Sequence, residues 1–197
     1  MLVTNIEKDG KYKNKVYLDE NYAFWLSKKE LFFWKIKLGI EMTTEQYQKI
    51  KKESILPKCK RKAISYLQLC DRTESELRSK LKMQFYTEDI IDQTIDYLQL
   101  YAYLDDSRVV TRYIEQHRKH HSKRWIEQHL LQKGIRKEQM AEYWGEDYSE
   151  DEAIQRALFK KTKGKQVTDY RERQKVVAYL GRQGFRMDQI MKVLKEQ

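Results

Sequence analysis

The sequence predicts a mainly α-helical chain: a tandem array of three three-helix repeats forming an elongated curved body, preceded by a small N-terminal β-meander plus helices. Three observations carry that expectation. Seven Gly and one Pro in 197 residues are too few for an all-β protein with many tight turns. From Lys58 onward the apolar residues recur at helical spacing. The series Leu77, Leu81, Tyr86, Ile91 has spacings of four, five and five residues, and it returns as Ile126, Leu130, Ile135, Met140 and as Val176, Leu180, Phe185, Ile190, offset by 49 and 50 residues. A spacing reproduced twice is an internal repeat.

Residues 2 to 26 read as an antiparallel meander. Leu2 to Glu7 and Tyr12 to Leu18 flank Asp9-Gly10, a dipeptide favoured where a hairpin needs positive φ. A second turn at Asp19-Glu20-Asn21 leads into Tyr22 to Leu26, where Ala23 and Trp25 are expected on one face and Tyr22 and Phe24 on the other. Ser27 with Glu30 makes a capping box for a helix carrying Leu31, Trp34 and Leu38 up to Gly39. Thr43 with Gln46 opens a second helix, and the sole proline, Pro57, marks the expected end of an N-terminal domain spanning 1–56.

The repeats then follow as 57–105, 106–152 and 153–197. Lys133-Gly134-Ile135 and Gln183-Gly184-Phe185 put glycine where a helix should stop, and the first copy has Phe85-Tyr86 there. Thr73 with Glu76 caps one helix of the first repeat, Thr87 followed by Glu88 and Asp89 starts the next, and Ser122 is the matching cap in the second repeat. Each repeat also has an upstream helix: Ala63 to Leu69, Val109 to His117, and Ala153 to Phe159, the last introduced by a box of Ser149 and Glu152. Helices of about 10 to 14 residues are marginal alone and gain stability by burying a shared stripe. Units stacked end to end touch mainly their neighbours, which suits binding along a filament or groove.

The net charge is +10 and the mean hydropathy −0.89. Residues 153–197 hold 12 basic and 4 acidic residues, whereas 57–105 hold 8 of each and 106–152 hold 9 and 10. Most of the excess therefore belongs to the last repeat, which points to one polyanion-facing end. No stretch approaches the roughly 20 apolar residues needed to cross a bilayer, and Met1 to Lys11 shows no secretory pattern. Cys59 and Cys70 stand alone, as reduced thiols of a cytoplasmic protein do.

The residues form no recognisable catalytic or metal-binding pattern. Gly164-Lys165 resembles the end of a P-loop, but Gln166 replaces the required hydroxyl residue. His117, His120, His121 and His129 lack the cysteine or carboxylate partners of a metal site. Asp105-Asp106 and Glu150-Asp151-Glu152 precede helices, where negative charge serves as capping. Tyr97, Tyr101, Tyr103, Tyr113 and Trp125 can stack on bases, although core packing is favoured at their spacing. The residues imply no enzyme and no cofactor.

Tyr103-Leu104-Asp105-Asp106, then Leu130-Leu131-Gln132-Lys133-Gly134-Ile135, then a basic third repeat ending in Gly184-Phe185 resemble, in order and spacing, the RecX family of bacterial recombination regulators. The resemblance covers about residues 58–197, and the N-terminus looks like the leading domain of longer Gram-positive-type members. Val109-Val110 departs from the usual aromatic-plus-alanine, and His121-Ser122 stands where glycine is common. The resemblance implies a non-enzymatic modulator of the RecA recombinase in DNA repair, homologous recombination and the SOS response, one that lies in the filament groove on DNA and depresses ATP hydrolysis and strand exchange. A unit placed along a filament needs no self-association, so a monomer is expected, in the cytoplasm and without a membrane. The expected contacts are Arg108, Arg112, Lys123, Arg124 and Arg136 in the middle repeat and Lys160, Lys161, Lys163, Lys165, Arg171, Arg173, Arg182 and Arg186 in the last. Two alternatives stay open: a stand-alone DNA-binding helical module, and a protein-interaction scaffold unrelated to recombination.

Overall fold

A computed structural model describes residues 1–145 and 148–195. The chain divides into two compact units, Met1–Asp105 and Asp106–Gln197.

The first unit opens with an antiparallel sheet, β1 (Val3–Asp9), β2 (Lys13–Leu18) and β3 (Asn21–Leu26), in sequence order. Gly10 turns the first hairpin at φ +65°. The second turn is a two-residue loop with Asp19 at +47° and Glu20 at +68°, the left-handed pair that matches strand twist but strains residues bearing a Cβ. Three hydrogen bonds hold it: Leu2 N–H donates to Asp19 Oδ1 (2.8 Å), Asp19 N–H to the Leu2 carbonyl (2.9 Å), and Glu20 N–H to Thr4 Oγ1 (2.9 Å).

The simple alternation expected in β3 does not hold. Val16 pairs with Phe24 but Tyr17 pairs with Tyr22, so Ala23 is an extra residue. This bulge brings Tyr22 to the face of Trp25, because one inserted residue reverses the phase of everything beyond it. Both faces are covered: Phe24 stacks on Tyr47 (5.9 Å), while Trp25 meets Tyr86 (6.0 Å) and Tyr22 donates to the Phe85 carbonyl (2.5 Å).

Helix α1 (Lys28–Phe33) is shorter than expected, and Leu38 lies outside it. The Ser27–Glu30 box forms as read. The helix ends because Lys35 turns to φ +54° and Ile36 N–H donates to the Leu31 carbonyl (2.9 Å). The chain then runs along the outer edge of β1, where Gly39 N–H bonds to Val3 O, Val3 N–H to Ile40 O and Met42 N–H to Met1 O. That segment satisfies an edge otherwise open to pairing.

Helix α2 (Thr44–Ile50), a π-helical turn (Lys51–Ile55) and α3 (Leu56–Leu69) form one continuous helical run. Thr43 caps the Gln46 N–H (3.1 Å), but the Gln46 amide reaches the Trp34 carbonyl instead of closing a box. Pro57 occupies the first turn of α3 and does not end the helix. It cannot donate to Glu53, and the ladder changes to the wider spacing just before it, with Leu56 N–H bonding to the Lys51 carbonyl. Helices α4 (Glu74–Lys82) and α5 (Glu88–Leu100) complete the unit. One core joins the sheet to all of them, including Val16, Leu26, Ile50, Cys59, Leu77 and Leu98, so the interior continues across residue 57. Burying Leu77 and Leu81 contributes about 1.5–3 kcal/mol each, which a nine-residue helix needs because it is marginal by itself.

The second unit comprises α6 (Asp106–His117), α7 (Lys123–Gln132), α8 (Lys137–Ala141), α9 (Asp151–Thr162), α10 (Tyr170–Arg182) and α11 (Met187–Lys195). One core gathers Val110, Ile126, Leu130, Ile135, Met140 and Trp144; the other gathers Ile154, Leu158, Val176, Leu180, Phe185 and Ile190. The repeat is visible at bond level. Tyr86, Ile135 and Phe185 each donate N–H to Leu81, Leu130 and Leu180 at 3.3, 3.0 and 3.3 Å. The preceding residues, Phe85, Gly134 and Gly184, are all left-handed at +63°, +84° and +88°. This is the helix closure that favours glycine, and Phe85 performs it without one.

The caps differ more. Thr73 and Ser122 cap as read, and Asp169 caps α10 by accepting from Glu172 N–H (3.0 Å). The box expected of Ser149 and Glu152 is absent. Glu150 occupies the cap position, and Ser149 Oγ accepts from Asp151 N–H (3.1 Å).

Candidate functional site

The last repeat sets out its cations on helix ends and a connecting loop. Lys160 and Lys161 fall in the last turn of α9, Lys163 is its left-handed cap at φ +54°, and Lys165 follows in the loop. Cations are favoured at this C-terminal end, where carbonyls lack partners. Lys160, Lys161, Lys163, Lys165 and Arg171 are exposed, while Arg173 is half-buried on α10. The structure brings Lys161 and Lys165 together with Lys175 in a cleft of about 220 Å³ that also exposes Thr162 and Glu172. Lys161 Nζ stands 5.6 Å from the Tyr179 ring, so an aromatic face positions one of the three ammonium groups. Sequence reading missed Lys175; its four-residue spacing from Arg171 along α10 was the available signal.

Arg136 and Arg186 occupy matching places. Each stands just before the third helix of its repeat and donates its backbone N–H to a glutamine, Gln139 at 2.9 Å and Gln189 at 3.1 Å. Both are exposed, although Arg186 Nε is shared with Asp188 (3.1 Å). Arg182 is exposed at the end of α10, and Arg108 and Arg112 lie on the exposed side of α6. Arg124 is exposed in the first turn of α7. Its neighbour Lys123 is half-buried, with Nζ 5.2 Å from the Trp144 ring and its backbone N–H donating to Glu150 (2.5 Å). Lys123 therefore joins the middle repeat to the start of α9.

Arg118, Lys119 and Arg156, none of them singled out by sequence, line a larger cleft of about 650 Å³ with Glu115, Asp151 and Glu152. Its carboxylates answer its cations, as in the Arg156–Glu152 pair at 3.1 Å, so this cleft is electrostatically mixed whereas that of Lys161, Lys165 and Lys175 is mainly positive.

The middle and last repeats meet through backbone. Ser122 N–H donates to the Gln183 carbonyl (3.0 Å), and Gly184 lies so close to α7 that a Cβ there would overlap the Ser122 hydroxyl and stand 2.7 Å from Trp125 Cβ. Beside this joint the histidines form an aromatic column. His121 and His129 each stack on Trp125 at 3.7 Å, and His117 packs against Tyr113 at 4.3 Å. Burial, with the neighbouring histidines and Lys160 adding to it, lowers the His121 pKa to about 4, and burial likewise lowers that of His117. Among the described residues no group of three or more His, Cys, Asp or Glu is arranged to hold a metal ion. Trp125 and Tyr113 are partly buried against the middle core, and Tyr97 against the first, as expected; Tyr101 and Tyr103 are exposed, because both follow the last turn of α5.

In the first unit the neutral sum of 57–105 conceals a partition. Lys62 and Lys80 stand 4.8 and 5.5 Å from the Tyr66 ring, while Glu74 and Asp92 converge on Arg78 at 2.7 and 2.6 Å.

Comparison with known proteins agrees with this architecture. The model of the RecX first three-helix domain matches residues 59–98, and that of the RecX third three-helix domain matches residues 149–194. A regulatory protein RecX of Clostridium acetobutylicum is 30% identical over 98% of this chain and 95% of its own. One from Caldanaerobacter subterraneus is 29% identical over 98% of both. A crystal structure of regulatory protein RecX has a TM-score of 0.63 at 23% identity, covering 100% of this chain and 99% of that one. The crystal structure of RecX from Lactobacillus salivarius gives 0.59 at 22%, over 72% and 95%. These structures agree in fold, and the near full-length similarity of sequence completes the case: the chain belongs to the RecX family of regulatory proteins.

Proposed function

We propose that this chain is a non-enzymatic cytoplasmic regulator that binds the RecA recombinase or its filament on DNA and mainly inhibits ATP hydrolysis and strand exchange. The supporting observation is the mainly positive cleft of Lys161, Lys165 and Lys175 in a repeat with 12 basic and 4 acidic residues. Converging ammonium groups attract a phosphodiester backbone or an acidic protein surface at long range. Single exposed charges contribute little, so the set carries the function. In this reading residues 153–197 supply the polyanion contact, 57–105 and 106–152 supply reach and protein contacts, and 1–56 forms a further module. The chain acts as a monomer, since a unit placed along a filament needs no self-association.

The combined substitution Lys160→Glu, Lys161→Glu, Lys163→Glu and Lys165→Glu relieves inhibition of recombinase ATPase while leaving the helical circular dichroism unchanged. Undiminished inhibition sinks the basic repeat as a contact surface. The second reading, a module that binds DNA by itself, is favoured by the three lysines that line the cleft. It predicts affinity for DNA alone equal to that for preformed filament and falling steeply with salt through counterion release.

A further inference from the structure

The first unit carries an apolar groove that the filament reading does not use. Its walls are Phe32 and Phe33 at the end of α1, and its floor is Leu31, Ile36 and Ile40, in a space of about 810 Å³. Phe32 is 87% exposed and Phe33 72%, and α1 has no fully buried residue. Exposed aromatic pairs of this kind mark interaction sites.

The groove is held rigid from several sides. Glu30 closes the Ser27 cap and also accepts from Lys58 of α3 at 2.5 Å. The Trp34 indole N–H donates to Ser54 Oγ (2.9 Å), the Gln46 amide to the Trp34 carbonyl (3.2 Å), and Ile36 N–H to Leu31 O. The backbone that bears the two phenylalanines is therefore fixed, which lowers the ordering cost of binding. The rim is cationic: Lys29, Lys35 and Lys37 line it, and none of its described lining residues is acidic. The one carboxylate on α1, Glu30, is committed to Ser27 and Lys58.

We propose that this groove docks an acidic, amphipathic peptide segment of a partner protein, with aromatic or aliphatic side chains entering between Phe32, Phe33 and Ile36 and flanking Asp or Glu meeting the three lysines. The aliphatic floor of Leu31, Ile36 and Ile40 and the concave form favour apolar side chains as the occupant. The proposal is independent of the contact surface on the last repeat.

The test pans short random peptides displayed on phage against the intact chain, then measures selected peptides by fluorescence anisotropy. The enriched sequences are acidic with at least two apolar anchors. Phe32→Ser with Phe33→Ser weakens binding tenfold or more, as loss of a hot spot does. Lys29→Glu, Lys35→Glu and Lys37→Glu together weaken it at low salt, with the difference shrinking as ionic strength rises. Both variants keep wild-type circular dichroism, since these side chains are outside the core. Enrichment of neutral or basic peptides overturns the proposal, as does binding that survives loss of both phenylalanines. So does a Phe32- and Phe33-dependent affinity for oligo-dT, for phosphatidylglycerol vesicles or for a second copy of the chain, each of which assigns the groove to another occupant.

Discussion

Gly184→Ala tests the joint between the middle and last repeats. At φ +88° an L-residue pays about 1–2 kcal/mol for the left-handed backbone. The new Cβ also overlaps the Ser122 hydroxyl and stands 2.7 Å from Trp125 Cβ and 3.3 Å from Trp125 N, so α7 must move. That movement disrupts the Ser122 cap on Trp125 N–H (3.1 Å), a loss of about 1 kcal/mol. It also breaks the bond from Ser122 N–H to the Gln183 carbonyl, a further loss of about 1 kcal/mol. The expected destabilisation is about 3 kcal/mol. Gly39→Ala is the control: φ is +77° but nothing lies within 4 Å of its Cβ, so only the backbone cost of about 1 kcal/mol applies. Urea unfolding gives both values, and hydrogen exchange locates the damage, with Ser122 and residues 183–185 losing protection in Gly184→Ala alone. Equal losses in the two variants would refute the argument that close approach, rather than φ, fixes Gly184.

Three further expectations concern other parts of the chain. His121 has its folded pKa lowered to about 4 from an ordinary 6.5, so the unfolded chain binds more protons between those values and stability falls as pH drops through that window; urea midpoints across pH show the slope, and it flattens in His121→Gln. Phe85 pays the left-handed cost but gains Lys15 at 3.9 Å from its ring, worth about 0.5–1 kcal/mol; thermal melts should therefore place Phe85→Gly near wild type and Phe85→Ala below both, and equal stability of the two variants contradicts the strain. Glu20→Gly relieves φ +68° and keeps the backbone N–H bond to Thr4, so it raises the stability of the first unit by about 1 kcal/mol; a lower melting temperature contradicts the strain.

The repeat was legible because its signal is the burial period itself. Leu81, Leu130 and Leu180 cannot leave the core, so their spacing survives in any sequence that packs this way. Glycine at 134 and 184 marked two closures, and the spacing placed the third at Phe85-Tyr86, where a non-glycine residue gave no sign of its left-handed backbone. The bulge at Ala23 was invisible for a similar reason: pairing register belongs to two strands, and Ala23 alone says nothing about Tyr17. Leu38 followed the helical period of Leu31 and Trp34, but edge bonds to β1 outcompeted helix propagation. Of the candidate surface, the charge excess of the last repeat was plain in composition. The meeting of Lys161, Lys165 and Lys175, and the separation of cations from acids in the first repeat, arise only when helices α9 and α10 or α3 and α4 pack.

The π-helical turn before Pro57 bears on how the chain leaves the ribosome. Ile50, just before that turn, and Ile55, its last residue, are buried in the same interior as Cys59, Leu77 and Leu98. A nascent chain ending near Pro57 contains the strand residues but not the surface on which those isoleucines rest. The core of the first unit is therefore complete only once α5 has emerged, since Ile90, Ile91, Ile95 and Leu98 belong to it. Cutting the gene at its only proline codon separates two halves of one core, whereas a cut between Asp105 and Asp106 leaves each half an interior of its own.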